Sequence, residues 1–342
     1  MYTSIPSPPP EWSSLSLGPL TIHLYAIMIL IGIFVGLWIA TRRWVERGGD
    51  PEVVGSIAIW AIPFGIIGGR IYHVISSPAA YFGEGGSPLK AFEIWNGGLG
   101  IWGAVAFGAL GAYIGAKRNG ASFTAFMDAA APGLLVAQAI GRLGNYFNQE
   151  LFGSPSSLPW ALQIDPAFRP EGFEQYTTFH PTFLYELLWN LAGAALLIYL
   201  DKKWDLRGGR VFWLYVVVYT TGRLWIENVR IDEAVQIAGL RVNVWVSLVV
   251  LVGALLTFIL LGRSQEERPT RVPRSELAAP LVLAGAKGSA VPAGNSASDD
   301  SEVEQISDVH ARDEGHEDPT DSANSIDEES SKGQKPADGG VS

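Results

Sequence analysis

Residues 20–40 read LTIHLYAIMILIGIFVGLWIA, twenty-one positions without a carboxylate, lysine or arginine. An α-helix needs about 20 such residues to cross the hydrocarbon of a bilayer. Six further apolar runs recur at about 54–75, 99–116, 122–141, 182–200, 211–230 and 243–262. The run at 122–141 is the most interrupted, by Asp128, Pro132 and Gln138. The chain therefore reads as an all-α polytopic membrane protein with seven transmembrane helices and outer-side loops or short helices. The first 19 residues are proline-rich and lack Lys and Arg. They do not form the basic n-region of a cleaved signal, so the first run reads as a retained helix.

Composition agrees. Of 342 residues, 48% are hydrophobic and 17% charged, against about 25% charged in soluble domains. Mean hydropathy is +0.20. The net charge of −10 is unevenly placed: residues 1–262 sum to −1 and residues 263–342 to −9. That last segment has no aromatic residue and is rich in Ser, Asp, Glu, Ala and Gly. Such a composition cannot offset the entropy of ordering, so 263–342 is expected to be a disordered acidic tail. The expected organisation is an extracytoplasmic segment 1–19, a seven-span domain 20–262 and the tail 263–342. Nothing in this balance suits nucleic acid. Cysteine is absent, which excludes disulfides, thiolate metal sites and a cysteine nucleophile.

The connecting segments alternate in basic charge. Segments 41–53, 117–121, 201–210 and 263–274 hold thirteen Lys or Arg, and those on the other side hold four. The positive-inside rule puts the N-terminus outside and the tail in the cytoplasm. Trp44, Trp95, Trp204 and Trp213 fall near span ends, where an aromatic belt is expected. Asp50-Pro51 reads as an N-cap followed by proline at the first helical position. Gly32 with Gly36, and Gly111 with Gly115, are spaced for close helix approach.

Ionisable groups inside such runs cost several kcal/mol unless paired or wetted, and so mark function. Tyr219, Arg223, Glu227 and Arg230 are spaced four, four and three apart, within about 80° of one helix face. At 1.5 Å per residue Arg223 stands ~18 Å and Glu227 ~24 Å from the cytoplasmic start of the helix, and Arg70 ~26 Å along its own. Arg142 ends the fourth run, and His23 and Tyr25 open the first. Arg70, Arg142 and Arg223 are thus expected at one level in the outer half of the bilayer. Guanidinium is always charged and binds phosphate bidentately, so a phospholipid headgroup suits the site. An Arg223–Glu227 pair that only fixes packing is the alternative for the stripe, and snorkelling is the alternative for Arg70 and Arg142.

Three dense segments lie on the same side: 95–103 (WNGGLGIWG), 141–153 and 180–186 (HPTFLYE). The stretch Gly141-Arg142-Leu143-Gly144-Asn145-Tyr146-Phe147-Asn148-Gln149-Glu150-Leu151-Phe152-Gly153 resembles the signature of the prolipoprotein diacylglyceryl transferases of bacterial inner membranes. His180 to Glu186, Tyr219 to Arg230, and His23-Leu24-Tyr25 match further blocks of that family. The resemblance covers about 20–262. It implies seven spans with the N-terminus outside. It also implies transfer of the diacylglyceryl group of phosphatidylglycerol to the lipobox cysteine of a prolipoprotein signal peptide, with glycerol phosphate as second product. It assigns phosphatidylglycerol binding to Arg142 and a second phosphate contact to Arg223, and marks Tyr25, Asn145, Glu150, Gly153 and Glu227 as important. Arg70 and Tyr219 are expected beside the lipid.

The resemblance departs at one place. Where the family often has a histidine, this chain has Trp102, and Asn96 stands for an aspartate. His180, Glu150, Glu227 and His23 are the remaining candidates for a base, and His73 reads as structural. No cofactor and no metal are implied, because arginines can acidify a thiol and stabilise a departing phosphate. Two other classes fit parts of the pattern. A lipid or anion transporter also uses buried arginines and broken helices, but no internal repeat is present. A scaffold would use the acidic tail.

Overall fold

A computed structural model describes residues 4–17, 20–94, 97–232 and 234–261. The expected tail, with Trp95 and Asn96, lies outside the described residues. Seven long helices dominate: α1 (Leu24–Glu46), α2 (Pro51–Ser76), α4 (Ile101–Arg118), α5 (Phe123–Phe147), α6 (Thr182–Trp204), α7 (Arg210–Glu227) and α8 (Val242–Leu260). A single turn, α3, covers Ala79–Phe82. Helices α1, α2, α5, α6 and α8 are long and apolar enough to cross a membrane. Helix α4 ends in Lys117-Arg118, and α7 carries Arg210, Arg223 and Glu227 within only 18 residues. Both are 18 residues long, so no 18-residue stretch within them leaves these charges out, whereas the other five run to 19–26 residues. Several apolar helices in one chain make this a multi-pass membrane protein.

Boundaries follow local chemistry. Residues Leu20–His23 do not begin the first helix; they pair antiparallel with Ser14–Leu17 as strands β2 and β1. Helix α1 starts at Leu24 and runs on to Glu46. The Asp50 cap is present, its carboxylate accepting from Glu52 N at 3.0 Å with proline next in line. Helix α5 runs unbroken through the interrupted run, because its polar residues have partners elsewhere. Asp128 accepts from the backbone N–H of Gly209 and Phe212, both at 2.9 Å, and so caps α7. Gln138 donates to the Tyr215 hydroxyl at 3.0 Å.

Small residues set the helix pairs. Gly36 meets Gly133 and Gly32 meets Ala137, which brings α1 against α5. Gly111 and Gly115 face Trp60 and Ile57, which brings α2 against α4. Helix α6 packs between α5 and α7 through Leu135, Ala194, Leu197 and Val211.

The two ends of the bundle differ. The basic end carries the turns 47–50, 119–122 and 205–209. There Asp201 of α6 binds Arg43 and Arg47 of α1, each at 2.9 Å, and Arg43 also reaches the Ala129 carbonyl. Trp44 is completely buried beside Phe126, and its indole donates to the Asp50 carbonyl. It is therefore a core residue and not part of an aromatic belt, whereas Trp204 is exposed. The opposite, loop end carries the segment 148–181. A two-stranded sheet, β3 (Leu162–Gln163) with β4 (Thr178–Phe179), anchors it. Ile5 bridges to Leu162 in parallel, Ser7 donates to Asp165 and Gln163 to Ser4. The N-terminal segment is thus tied to this loop structure by one β-bridge and two side-chain hydrogen bonds.

Replacing Asp201 with Ala leaves Arg43 buried without its carboxylate and Arg47 with only Asp128, at 3.9 Å. The expected loss is about 3 kcal/mol, the usual scale for breaking a buried pair. Thermal unfolding in detergent reads it, and an unshifted transition would contradict the role assigned to this pin.

Candidate active site

The loop end holds a ladder of alternating charges. Arg142, five residues from the end of α5, pairs with Glu186 in the second turn of α6. The other oxygen of Glu186 stands 3.6 Å from Arg223 of α7. Arg223 pairs at 2.8 Å with Glu227 one turn on. Glu227 is completely buried, and its second oxygen meets Arg241 at 2.9 Å and Asn243 at 3.0 Å. Arg241 and Arg230 then share Asp232. Burial raises the Asp232 carboxyl and the two arginines lower it, leaving it below its usual range. Alternation is required here, since a lone buried charge costs several kcal/mol. The ladder still contains one more arginine than carboxylates. Helix α7 ends at Glu227, so Arg230 lies beyond the helix on which the sequence placed it.

The signature segment forms the flank of this ladder. Arg142 donates to Asn145 Oδ1 at 3.2 Å, and Asn145 donates to Glu150 at 2.7 Å. Asn148 donates to the same carboxylate at 3.3 Å. Gln149 and Leu151, on either side of Glu150, both have left-handed backbone, with φ of 50° and 59°. Such conformations are uncommon outside glycine and persist only where surroundings enforce them. The enforcement is visible: Gln149 exchanges two hydrogen bonds with Asp165, and the Thr182 hydroxyl donates to the Leu151 carbonyl. The Gln149 and Ser7 contacts hold the Asp165 carboxyl below its ordinary value.

Gly153 closes the segment. Its N–H donates to the His180 carbonyl at 2.9 Å, and it bridges to Arg230. A Cβ there would stand 2.8 Å from His180 Cβ and 2.8 Å from Val229 Cγ1, so only glycine fits. His180 Nδ1 lies 3.0 Å from the Tyr185 hydroxyl, and burial pushes its imidazole below the usual value, favouring the neutral form. Tyr25 packs on Gly144, which places α1 one turn from Arg142. Tyr219 stacks on Tyr215 with ring centroids 6.2 Å apart. His23 is exposed at the start of α1.

Arg70 differs from the other two arginines of the expected trio in its partners. Its guanidinium donates to the carbonyls of Lys90, Ala91, Glu93, Gly97 and Gly98 and lies over the Tyr81 ring. It organises the 88–98 loop and, among the described residues, is not joined to the ladder. The glycine-rich segment read from the sequence, 95–103, overlaps only the end of this loop, whose carbonyls at 90, 91, 93, 97 and 98 hold the arginine. His73, as expected, is structural here, packed edge-on against Tyr81. Trp102 is exposed in the first turn of α4.

Glu186 was not singled out from the sequence. The available signal was a carboxylate in an apolar helix with no Lys or Arg three or four residues away, which demands a partner on another helix.

The fold and site together define a multi-pass membrane protein with paired arginines at one end of its bundle, donors suited to an anionic group. The model of the family "Prolipoprotein diacylglyceryl transferase" matches residues 13–260. A phosphatidylglycerol–prolipoprotein diacylglyceryl transferase of Streptomyces coelicolor is 50% identical over 281 residues, 82% of this chain and 86% of that protein. One from Frankia alni is 52% identical over 82% of this chain and 73% of its own length. One from Cutibacterium acnes is 52% identical over 76% and 87%. The chain belongs to the prolipoprotein diacylglyceryl transferase family and is a transferase.

Gly153→Ala forces apart the His180 and Val229 backbones. Overpacking of this kind costs about 1–3 kcal/mol, and transfer activity is expected to fall at least tenfold while the bundle still purifies folded. An alanine variant with unchanged activity would show that the close approach is not required.

Proposed function

We propose that this chain moves the diacylglyceryl group of phosphatidylglycerol onto the lipobox cysteine thiol of a prolipoprotein, forming a thioether and releasing glycerol phosphate. The observation that carries the reading is Glu186 lying between Arg142 and Arg223. A carboxylate held by two guanidinium groups occupies the place that a phosphate would take, since both anions accept from the same donor forks. The lipid phosphate displaces Glu186 and binds both arginines. The thiolate sulfur then attacks the adjoining glyceryl carbon. A sulfur–carbon bond forms, the carbon–oxygen bond to phosphate breaks, and its electron pair stays on the phosphate oxygen. That oxygen gains charge as the bond breaks, and preorganised arginines stabilise it most at that moment. The sulfur comes from the substrate, because the chain has no cysteine.

The remaining residues have supporting parts. Asn145 orients Arg142 and carries Glu150. Glu227, held on both oxygens by Arg223 and Arg241, is a positioning group for Arg223. Gly153 and Tyr25 fix the backbone frame, and Tyr219 borders the lipid one turn below Arg223. Glu150 and His180 stand as the proton acceptors beside the clamp.

In the membrane we assign seven spans, α4 and α7 included, since all seven helices run between the same two ends. The basic end faces the cytoplasm of a bacterial inner membrane and the loop end faces outward, in keeping with the positive-inside rule. Segment 1–19 is then external, residues 20–262 form the catalytic domain and the acidic tail 263–342 is cytoplasmic. The signal peptide presents its cysteine from the bilayer.

Purified protein given labelled phosphatidylglycerol and a lipobox peptide should yield labelled peptide. Arg142→Ala and Arg223→Ala should each lower the rate by about 100-fold, the scale of one lost transition-state donor. Lysine at either site should not restore it, since an ammonium cannot reproduce the guanidinium fork. Full activity in either alanine variant would remove the clamp.

A further inference from the structure

A second polar layer lies one helical turn below the ladder, toward the basic end. Asn190 follows Glu186 by four residues on α6, Gln138 precedes Arg142 by four on α5, and Tyr219 precedes Arg223 by four on α7. Residues four apart share a helix face. The three helices are in register at this depth: a Cβ on Gly193 would stand 2.7 Å from Val218 Cγ1 and 3.2 Å from Leu135 Cδ1. Asn190 and Gln138 lie three residues from Gly193 and Leu135 in the direction of the ladder.

The layer is not satisfied within the protein. Asn190 is only 2% exposed, yet its Nδ2 has no hydrogen-bond partner among the described residues. Gln138 donates to Tyr215, which fixes its amide, and its Oε1 is also buried without a partner. A buried amide left unpaired costs about 1–3 kcal/mol, so such a group in a site is a reason to look for a ligand atom. Asn190 offers N–H donors and no charge. It therefore suits a neutral acceptor and not a second phosphate.

A diacylglyceryl phospholipid supplies such an acceptor at the right place. Its two ester carbonyls lie on the hydrocarbon side of its phosphate, within reach of one helical turn (about 5.4 Å). We infer that Asn190 donates a hydrogen bond to an ester carbonyl of the lipid whose phosphate lies between Arg142 and Arg223. This rests on the reading of the clamp given above. The contact sets the depth of the glycerol backbone, and so aligns the carbon that parts from the phosphate with the incoming thiolate. Asn190 is then a specificity residue for ester-linked lipid, with the acceptor of Gln138 shaping the same level.

The test compares two donors, diester phosphatidylglycerol and its dialkyl-ether analogue, which lacks the carbonyls. Full-length protein is assayed with each and a lipobox peptide. The wild type should prefer the diester by about tenfold in kcat/KM, the scale of one buried hydrogen bond. Asn190→Ala, and the near-isosteric Asn190→Asp, should lose about that factor on the diester and little on the diether, bringing the ratio near one. Damage to folding lowers both rates together and preserves the ratio. A wild-type ratio near one, or a variant ratio equal to the wild type's, would overturn the inference. Failure of the wild type to use either lipid would instead overturn the transferase reading.

Discussion

Glu186 stands between Arg142 and Arg223, and that arrangement requires three helices to meet in one register. Arg142 comes from α5, Glu186 from α6 and Arg223 from α7. None of the three has an opposite charge on its own helix that would do for all of it; only Arg223 has one, Glu227. In an apolar bundle each would otherwise carry a desolvation cost of several kcal/mol. The close packing of α6 against α5 and α7, through Gly193 and the Leu135–Leu197–Val211 cluster, is what brings the charges to one depth. Sliding one helix by a single turn would separate all of them.

Ion pairs at the two ends of the bundle do different things. At the basic end Arg43 and Arg47 are closed by Asp201, and Asp128 is closed by two amides of α7. That cluster fastens α1, α5, α6 and α7 together. At the loop end four arginines face three carboxylates. Glu150, held by Asn145 and Asn148, stands on the flank of Arg142 as a fourth carboxylate. The same Glu186 that neutralises the clamp in the free protein can be exchanged for such a ligand without leaving a guanidinium bare. A partly exposed pair, at 19% for each arginine side chain, makes that exchange cheaper than it would be for Glu227.

The sequence showed helices and arginines more readily than it showed partnerships. Long apolar runs announce spans because their length answers to bilayer thickness, and Arg142 and Arg223 stand out because charge inside such a run needs a reason. The depth of Arg223 followed from its helix position alone. What Arg70 touches did not, since its acceptors are the backbone carbonyls of residues 90–98, and carbonyls look alike in every sequence. Trp44 misled for a related reason: an aromatic at a helix end is equally suited to an interface or a core, and the Asp50 carbonyl with Phe126 decides for the core. The N-terminal tether was hidden because a single bridge at Ile5 to the 161–163 segment leaves no periodic pattern. Glu186 was visible as a residue but not as a bridge, which only the packing of α6 reveals.

Trp102 stands where the family resemblance implies a histidine, and the ladder bears on what that costs. A thiol becomes nucleophilic as thiolate, and nearby positive charge lowers its pKa. On the proposed reading the lipid phosphate takes the place of Glu186 between the two guanidinium groups, one negative charge for another. The proton acceptor for the incoming thiol is then Glu150, held in place by Asn145 and Asn148. The strained turn at Gln149 and Leu151 gives that carboxylate a fixed position. On that reading proton removal falls to a group whose place is enforced by backbone geometry, and it makes no call on Trp102, which is exposed in the first turn of α4.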